Sequence, residues 1–175
     1  MTSSQTDRSV PAPLLVTTGD ERAVLDAFLD FHRGVVRSKA SGVSDEDARR
    51  RLVGSQTTLA GLVKHLTVVE RSWFPHLLTG AAFGQEAGDG GEEVTGFEVG
   101  PHESIEDLIA AYDRACAVSR EVAAGFPLDH VVHHPQVGPV SLRWIMVHVV
   151  EETARHAGHA DILREQTDGA TGVTG

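Results

Sequence analysis

The stretch from residue 141 to residue 165, SLRWIMVHVVEETARHAGHADILRE, constrains the fold more than any other part of the chain. It contains no proline, and at about 3.6 residues per turn it makes a helix of about seven turns. Ser141 stands where a helix N-cap residue is expected. We therefore predict one long helix over residues 141–165.

Ionisable side chains gather on one side of this predicted helix. With about 100° between successive residues, four of them fall within one narrow sector: His148, Glu152, His156 and His159. The same sector contains three apolar side chains: Ile145, Val149 and Leu163. Because a solvated polar face normally lies opposite the apolar face, these ionisable groups are expected to point inward. Buried carboxylates and imidazoles are costly unless they are paired, hydrogen-bonded or bound to a metal.

Three further segments show the apolar periodicity of helices. The first runs from residue 19 to about residue 38, with a stripe formed by Val24, Phe28, Phe31 and Val35. The second covers residues 55–78, with a stripe formed by Leu59, Leu62, Leu66, Val69 and Trp73. Pro75 is expected to end or kink this helix near Phe74. The third begins after Ser104 as N-cap and stops at Gly125.

The pattern of four long helices predicts an all-α fold, a four-helix bundle with long crossover connections. At 175 residues the chain is expected to form one such domain, over residues 19–166. A flexible N-terminal arm is predicted over residues 1–18 and a disordered tail over residues 167–175. Residues 79–101 have no helical periodicity and suit a mobile segment or lid. A brief strand or hairpin can form between residues 131 and 140, but the two prolines and the glycine there make the signal weak.

Composition excludes several classes of function. The formal net charge of −10 argues against binding to nucleic acid, where phosphate contacts require clustered Lys and Arg. No apolar run approaches the roughly 20 residues that span a bilayer, and the N-terminus lacks the apolar core of a signal peptide. A single cysteine, Cys116, cannot form an intramolecular disulfide. We expect a cytoplasmic protein that acts on a small molecule, with a homodimer as the default assembly.

The inward-facing residues have the chemistry of a metal site. Glu152 and His156 are spaced i, i+4 and can aim two donors at one ion, with the third ligand supplied by another helix. His65 is the inward-facing histidine of the second predicted helix and is the leading candidate. The alternative is that His65 is a hydrogen-bonded core residue and that Glu152 and His156 form a salt bridge. His148 and His159 are rival ligands or hydrogen-bond partners of the ligands.

Two segments resemble a known family. HLTVVERSWF in the second predicted helix and EETARHAGHADILRE in the last one resemble the DinB/YfiT-like superfamily of four-helix metalloproteins. The segments GLVKHL and EETARHAGHAD are especially similar to those of an uncharacterised actinobacterial branch. The resemblance covers most of residues 20–165 and implies an up-down-down-up bundle that holds one divalent metal through three residues.

The resemblance also implies a ligand set. The superfamily motif in the last helix is HxxxH, followed by one residue, glycine and glutamine. Here Glu152 and His156 occupy the two ligand positions, Gly158 the glycine position and His159 the glutamine position. A glutamate in place of the first histidine resembles the His–Glu–His set of mycothiol-dependent maleylpyruvate isomerase. On that resemblance the ligands are His65, Glu152 and His156.

This resemblance points to a metal-dependent enzyme that uses a small thiol of the mycothiol type for S-transfer to, or isomerisation of, a small electrophile. The abundance of Ala, Gly, Val and Arg is typical of GC-rich genomes and favours the mycothiol-using side of the family. Zinc is the expected ion, with nickel and iron as alternatives. Two other functions stay open: a metal-dependent hydrolase, and a non-catalytic stress-associated metal-binding protein.

A few residues are weaker candidates. Arg155 lies near the ligand sector and can hold a substrate carboxylate, although a surface arginine explains it equally well. Trp73 can form a wall of the pocket, with core packing as the simpler account. Cys116 lies in an apolar stripe, where a thiolate is disfavoured, and is expected to be a core residue. The pair His133-His134 is expected in a solvated loop, where it can line the mouth of the site.

Overall fold

The computed structural model of the chain describes residues 11–82 and 97–172. Its helices are α1 (Glu21–Ala40), α2 (Asp45–Ala48), α3 (Leu59–Arg71), α4 (Leu77–Thr79), α5 (Ile105–Ala124) and α6 (Leu142–Asp168). A 3-10 turn, Ala12–Leu15, precedes α1, and a π-helical turn, Ser72–His76, joins α3 to α4. Most of the predicted arm, much of the predicted mobile connection and the end of the tail lie outside the described residues.

Four long helices, α1, α3, α5 and α6, confirm the all-α prediction. Each begins at a residue whose side chain accepts a hydrogen bond from a backbone N–H of the first turn: Asp20, Thr58, Ser104 and Ser141. These caps satisfy donors that an α-helix leaves unpaired at its start. They also set the boundaries, so that α3 begins four residues later than predicted. The last helix ends at Asp168, three residues beyond its predicted end.

The polar contacts between α1 and α6 show that these two helices run parallel. Near their starts, Arg143 donates two hydrogen bonds to the Glu21 carboxylate, at 2.5 and 3.0 Å. Near their ends, Arg164 donates to the Lys39 carbonyl at 3.0 Å. Contacts that advance along both helices in the same sense require parallel axes.

The same reasoning orients the other two helices. Lys64 near the start of α3 pairs with Glu103 just before α5, and Ser119 late in α5 donates to the Glu70 carbonyl late in α3, so α3 and α5 are parallel. Between α1 and α5 the order reverses, with ion pairs Arg37–Asp113 and Asp30–Arg120. The bundle is therefore up-down-down-up, as the resemblance implied.

Pro75 does not end the second long helix. Instead, the π-helical turn Ser72–His76 contains this proline, and the chain continues as helix to Thr79. Proline lacks the N–H of a helical hydrogen bond and crowds the preceding turn, and a wider turn relieves both problems. Trp73 lies within this turn, which places its ring beside α6.

A hairpin that the sequence indicated only weakly is present before α6. Its strands are β1 (Val131–His134) and β2 (Gly138–Ser141), paired antiparallel from Val131 with Ser141 to His134 with Gly138. Pro135 falls in the connecting turn, Gly138 adopts the left-handed backbone with φ of 88°, and Pro139 lies in a two-stranded ribbon where each strand has a free edge. The two prolines and the glycine therefore occupy positions where they do not prevent strand pairing.

Charged residues contribute to the buried centre of the bundle. Arg33 of α1 donates to both carboxylate oxygens of Glu70 in α3, at 2.7 and 2.6 Å, and the two side chains are 5% and 1% exposed. Phe28, predicted to be buried, is 43% exposed. The buried face of α1 therefore differs from the predicted apolar stripe, because Arg33, paired with Glu70, occupies part of that face.

Among the residues that the structure describes, no helix is long and apolar enough to cross a bilayer.

Removing one partner of the buried ion pair should destabilise the bundle strongly. We expect Glu70→Ala to lower the free energy of unfolding by about 3–5 kcal/mol, because the buried Arg33 charge would lose its bidentate partner and keep only the more exposed Asp30 carboxylate. The control is Asp113→Ala, which removes a pair whose side chains are 57% and 46% exposed and should cost about 1 kcal/mol or less. Urea unfolding followed by circular dichroism measures the free energy of unfolding of both variants. Similar decreases would show that the buried pair contributes no more to stability than the exposed pair.

Candidate functional site

Two helices bring three predicted ligands together. His65 of α3 has Nε2 at 3.1 Å from Glu152 Oε1, and His156 has Nε2 at 3.0 Å from the same oxygen. One possible ligand atom from each of the three residues lies within 4.8 Å of the others. The three residues are called the triad below. Its members come from helices that run antiparallel, and the i, i+4 spacing in α6 aligns Glu152 with His156.

The triad lies near the surface without being fully exposed. The side chains of His65 and Glu152 are each 18% exposed, and that of His156 is 11% exposed. Phe97 covers part of the triad, because its ring stacks on that of His65 at 4.3 Å between centroids. The triad is therefore partly exposed to solvent and partly covered by an aromatic ring.

Electrostatics favour the protonation states that bind metals. Burial raises the pKa of the Glu152 carboxyl, but hydrogen bonds and charge interactions with His65 and His156 outweigh this effect and hold the pKa below its usual range. Burial lowers the pKa of His156, and the opposing attraction of the Glu152 carboxylate does not fully compensate. An anionic carboxylate beside a neutral imidazole is the form in which these residues donate to a cation.

The spacing of the triad fits a divalent ion. Metal–ligand bonds of 2.0–2.1 Å at tetrahedral angles separate neighbouring ligand atoms by about 3.3 Å. The two separations from Glu152 Oε1, 3.0 and 3.1 Å, need only small side-chain movements to reach that value. A set of two imidazoles and one carboxylate suits zinc, and three protein ligands leave a coordination position open.

His159 contacts His156 on the side of its ring that faces away from Glu152. Its Nδ1 lies 3.3 Å from Nδ1 of His156, the ring nitrogen that is turned away from Glu152. This arrangement matches a hydrogen-bond partner that orients a ligand imidazole. Arg155 is 57% exposed and is held by two carboxylates, with an ion pair to Glu151 and a contact of 3.5 Å between Nη1 and Glu152 Oε2.

His148 and Trp73 lie together in an aromatic cluster next to the triad. The cluster consists of Trp73, His134, Trp144 and His148, with ring centroids 4.6–5.7 Å apart for the contacting pairs. Trp73 lies two turns after His65, and His148 lies one turn before Glu152, as the antiparallel helices require. His148 thus packs among rings, whereas the triad is formed without it.

Sequence reasoning missed one member of this cluster, Trp144, and named another, His134, in a different setting. Trp144 precedes His148 by four residues on the same helical face, a spacing that could have identified it. His134 was expected in a solvated loop, but it lies in β1 and stacks on Trp73 at 4.8 Å between centroids. Nothing in the local sequence indicates that contact, because the hairpin brings His134 back against the π-helical turn.

Cys116 lies in the core, as the sequence indicated. Burial, followed by the nearby negative charge of Glu70, raises the pKa of its thiol to about 12. Its thiolate is therefore negligible at neutral pH, and Cys116 is a poor nucleophile.

Phe97 keeps its place over the triad because Gly61 has no side chain. A Cβ at Gly61 would lie 2.9 Å from the Phe97 carbonyl oxygen, which is a backbone atom. We expect Gly61→Ala to displace Phe97, shift the NMR signals of the His65 ring on which Phe97 stacks, and lower the free energy of unfolding by about 1–3 kcal/mol.

The control for this substitution is Gly34→Ala in α1, where a Cβ would meet nothing within 4 Å. Because alanine favours helix, this variant should be up to about 1 kcal/mol more stable and should leave the His65 signals unchanged. If Gly61→Ala behaved like Gly34→Ala, close packing of Phe97 against Gly61 would not position the ring.

Comparison with known families gives a match that includes the whole triad. Residues 24–169 match a family model described as mycothiol-S-transferase. The matched region takes in all but the first turn of α1 and reaches one residue beyond the end of α6. No curated protein gives a significant match to the chain.

Proposed function

The chain belongs to the mycothiol-S-transferase family, a member of the DinB-like superfamily, and on that basis we propose that it is a divalent-metal-dependent enzyme that transfers a small thiol of the mycothiol type to a small electrophile. The observation that carries the metal part of the proposal is the convergence of His65, Glu152 and His156 at one partly exposed position. The observation that carries the thiol part is the family match.

The triad residues have distinct roles in this proposal. The Nε2 atoms of His65 and His156 both lie against Glu152 Oε1 and would be the two nitrogen ligands, and the Glu152 carboxylate would supply one negative charge. With Nε2 as a ligand atom, the proton of His156 resides on Nδ1 and is donated to Nδ1 of His159. That hydrogen bond fixes the tautomer and the orientation of the ring.

A divalent ion such as zinc would supply Lewis-acid chemistry at this point by lowering the pKa of a thiol into the neutral range. The reaction we propose is then balanced without a redox step. The thiol loses its proton to solvent, and its sulfur forms a bond to an electrophilic carbon. A leaving group departs with its electron pair, or the π electrons of an activated double bond move to the adjacent atom, which takes a proton. Addition followed by elimination gives isomerisation.

The first test is metal retention. Purified protein should retain about one divalent ion per chain, and His65→Ala should lose it while keeping its helical content, because the His65 side chain is 18% exposed rather than fully buried. The control is His148→Ala, which removes a histidine of the adjacent aromatic cluster and should retain the ion. His159→Ala should weaken binding by ~10- to 100-fold, less than loss of a ligand. Elemental analysis and competition with a chelator measure these effects, and full occupancy in His65→Ala would exclude His65 from the site.

The second test is thiol-dependent turnover. We expect protein loaded with zinc, but not chelator-treated protein, to accelerate consumption of an electrophile by mycothiol or a related small thiol. The rate should rise with pH with an apparent pKa below about 8.5, the ordinary value of a thiol. Equal rates with and without the ion would contradict the mechanism. Ester hydrolysis without thiol would instead support the hydrolase alternative.

A further inference from the structure

A pocket that the proposed mechanism does not use lies beside the triad. Its volume is about 290 Å³, and its lining consists of Val53, Ser55, Thr57, His159, Ile162 and Leu163. Three of these side chains are aliphatic. The volume is near the lower end of the range for small-molecule sites, about 300–1,000 Å³, so the pocket fits a small ligand or part of one.

The pocket lies past the triad, towards the end of α6 and the start of α3. Along α6 the order is His148 in the aromatic cluster, then the triad, then His159 and Ile162. Because the helices are antiparallel, the residues before α3, such as Thr57, lie at the same end. His159 belongs to the pocket and also contacts His156 at 3.3 Å. At 1.5 Å per residue, Ile162 lies about 9 Å along the axis from His156, a distance that one small molecule can span.

The chemistry of the lining is that of a site for an uncharged apolar group. Among residues 11–82 and 97–172, the lining contains no acidic residue, lysine or arginine. Its two hydroxyl groups are hydrogen-bonded to each other, with Ser55 Oγ donating to Thr57 Oγ1 at 2.9 Å. Val53 and Ile162 are 40% and 54% exposed, so a ligand in the pocket would remove aliphatic surface from water.

The surroundings also disfavour an anionic substrate. Arg155 is the arginine of α6 nearest the triad in sequence, and it is engaged by Glu151 and Glu152. A substrate carboxylate would have to compete with both of these carboxylates, whereas an uncharged group needs no counter-charge.

We propose that this pocket binds the apolar portion of the electrophile, a small uncharged aliphatic or aromatic group, while the reactive carbon extends past His159 to the triad. The proposal rests on the proposed function, since the triad is where the thiol would react. It deepens that function by naming the substrate class: uncharged electrophiles with an apolar tail, such as alkyl vinyl ketones.

Direct binding tests the pocket without any reaction. The probe is octan-3-one, a saturated ketone that has no activated double bond and therefore cannot undergo conjugate addition of a thiol. We expect it to shift the methyl NMR signals of Val53 and Leu163 in chelator-treated and in zinc-loaded protein, and to leave those of Val118, an exposed valine of α5, unchanged. Ile162→Asp should abolish the shifts because it places a charge in the pocket. The control, Val147→Asp, makes a similar change at an exposed position of α6 outside the pocket and should preserve them.

Turnover tests the link to the reaction. With zinc-loaded protein and mycothiol, kcat/KM should rise from but-3-en-2-one to hex-1-en-3-one and oct-1-en-3-one, by up to about fourfold for each methylene that enters the pocket. Ile162→Asp should remove this dependence on chain length, because the charge it introduces would oppose burial of each added methylene. Val147→Asp should retain the dependence.

The outcomes separate the pocket from the proposed function. Absence of methyl shifts with octan-3-one, or the same chain-length dependence in Ile162→Asp as in Val147→Asp, would overturn the pocket proposal even if thiol turnover is found. Shifts that Ile162→Asp abolishes, in a protein without thiol turnover, would support an apolar ligand site and refute the transfer reaction.

Discussion

One oxygen atom, Oε1 of Glu152, connects the two helices that form the site. It lies 3.1 Å from Nε2 of His65 in α3 and 3.0 Å from Nε2 of His156 in α6. These distances hold only in one axial register of the two antiparallel helices. The same register places the aromatic cluster on one side of the triad and the apolar pocket on the other. The arrangement of the triad, the cluster and the pocket therefore depends on the shared carboxylate oxygen.

The bundle contains a second buried polar group, and comparison of the two explains why only one has the properties of a site. Arg33 donates a hydrogen bond to each carboxylate oxygen of Glu70, so the two charges neutralise each other. Neither oxygen then remains available to a ligand. At the triad, one carboxylate oxygen faces two imidazoles that are neutral donors in their unprotonated form. The exposed Arg155 contacts the other oxygen of Glu152 only at 3.5 Å, so the divalent ion that we propose would be the principal counter-charge of this carboxylate.

The sequence predicted the elements whose signals are local. The N-caps Ser104 and Ser141, the periodicity of the four long helices, and the sector containing Glu152 and His156 all depend on spacing within one helix. Contacts between segments that are far apart in the sequence could not be predicted from local spacing. The inward turn of Arg33 depends on Glu70 in another helix, and the position of His134 depends on the return of a hairpin. Hydrophobic periodicity alone placed Phe28 in the core because it takes no account of such pairing.

The charge distribution around the triad constrains its chemistry further. The chain carries a net charge of −10, and the arginine closest to the triad in α6, Arg155, is held by Glu151 and Glu152. An anionic substrate would therefore approach against the field of the protein and find its nearest cation already paired. An uncharged electrophile meets neither cost, and it gains from contact with Ile162 and Val53. Substrate selection at this site thus follows from the pairing of Arg155 as much as from the shape of the pocket.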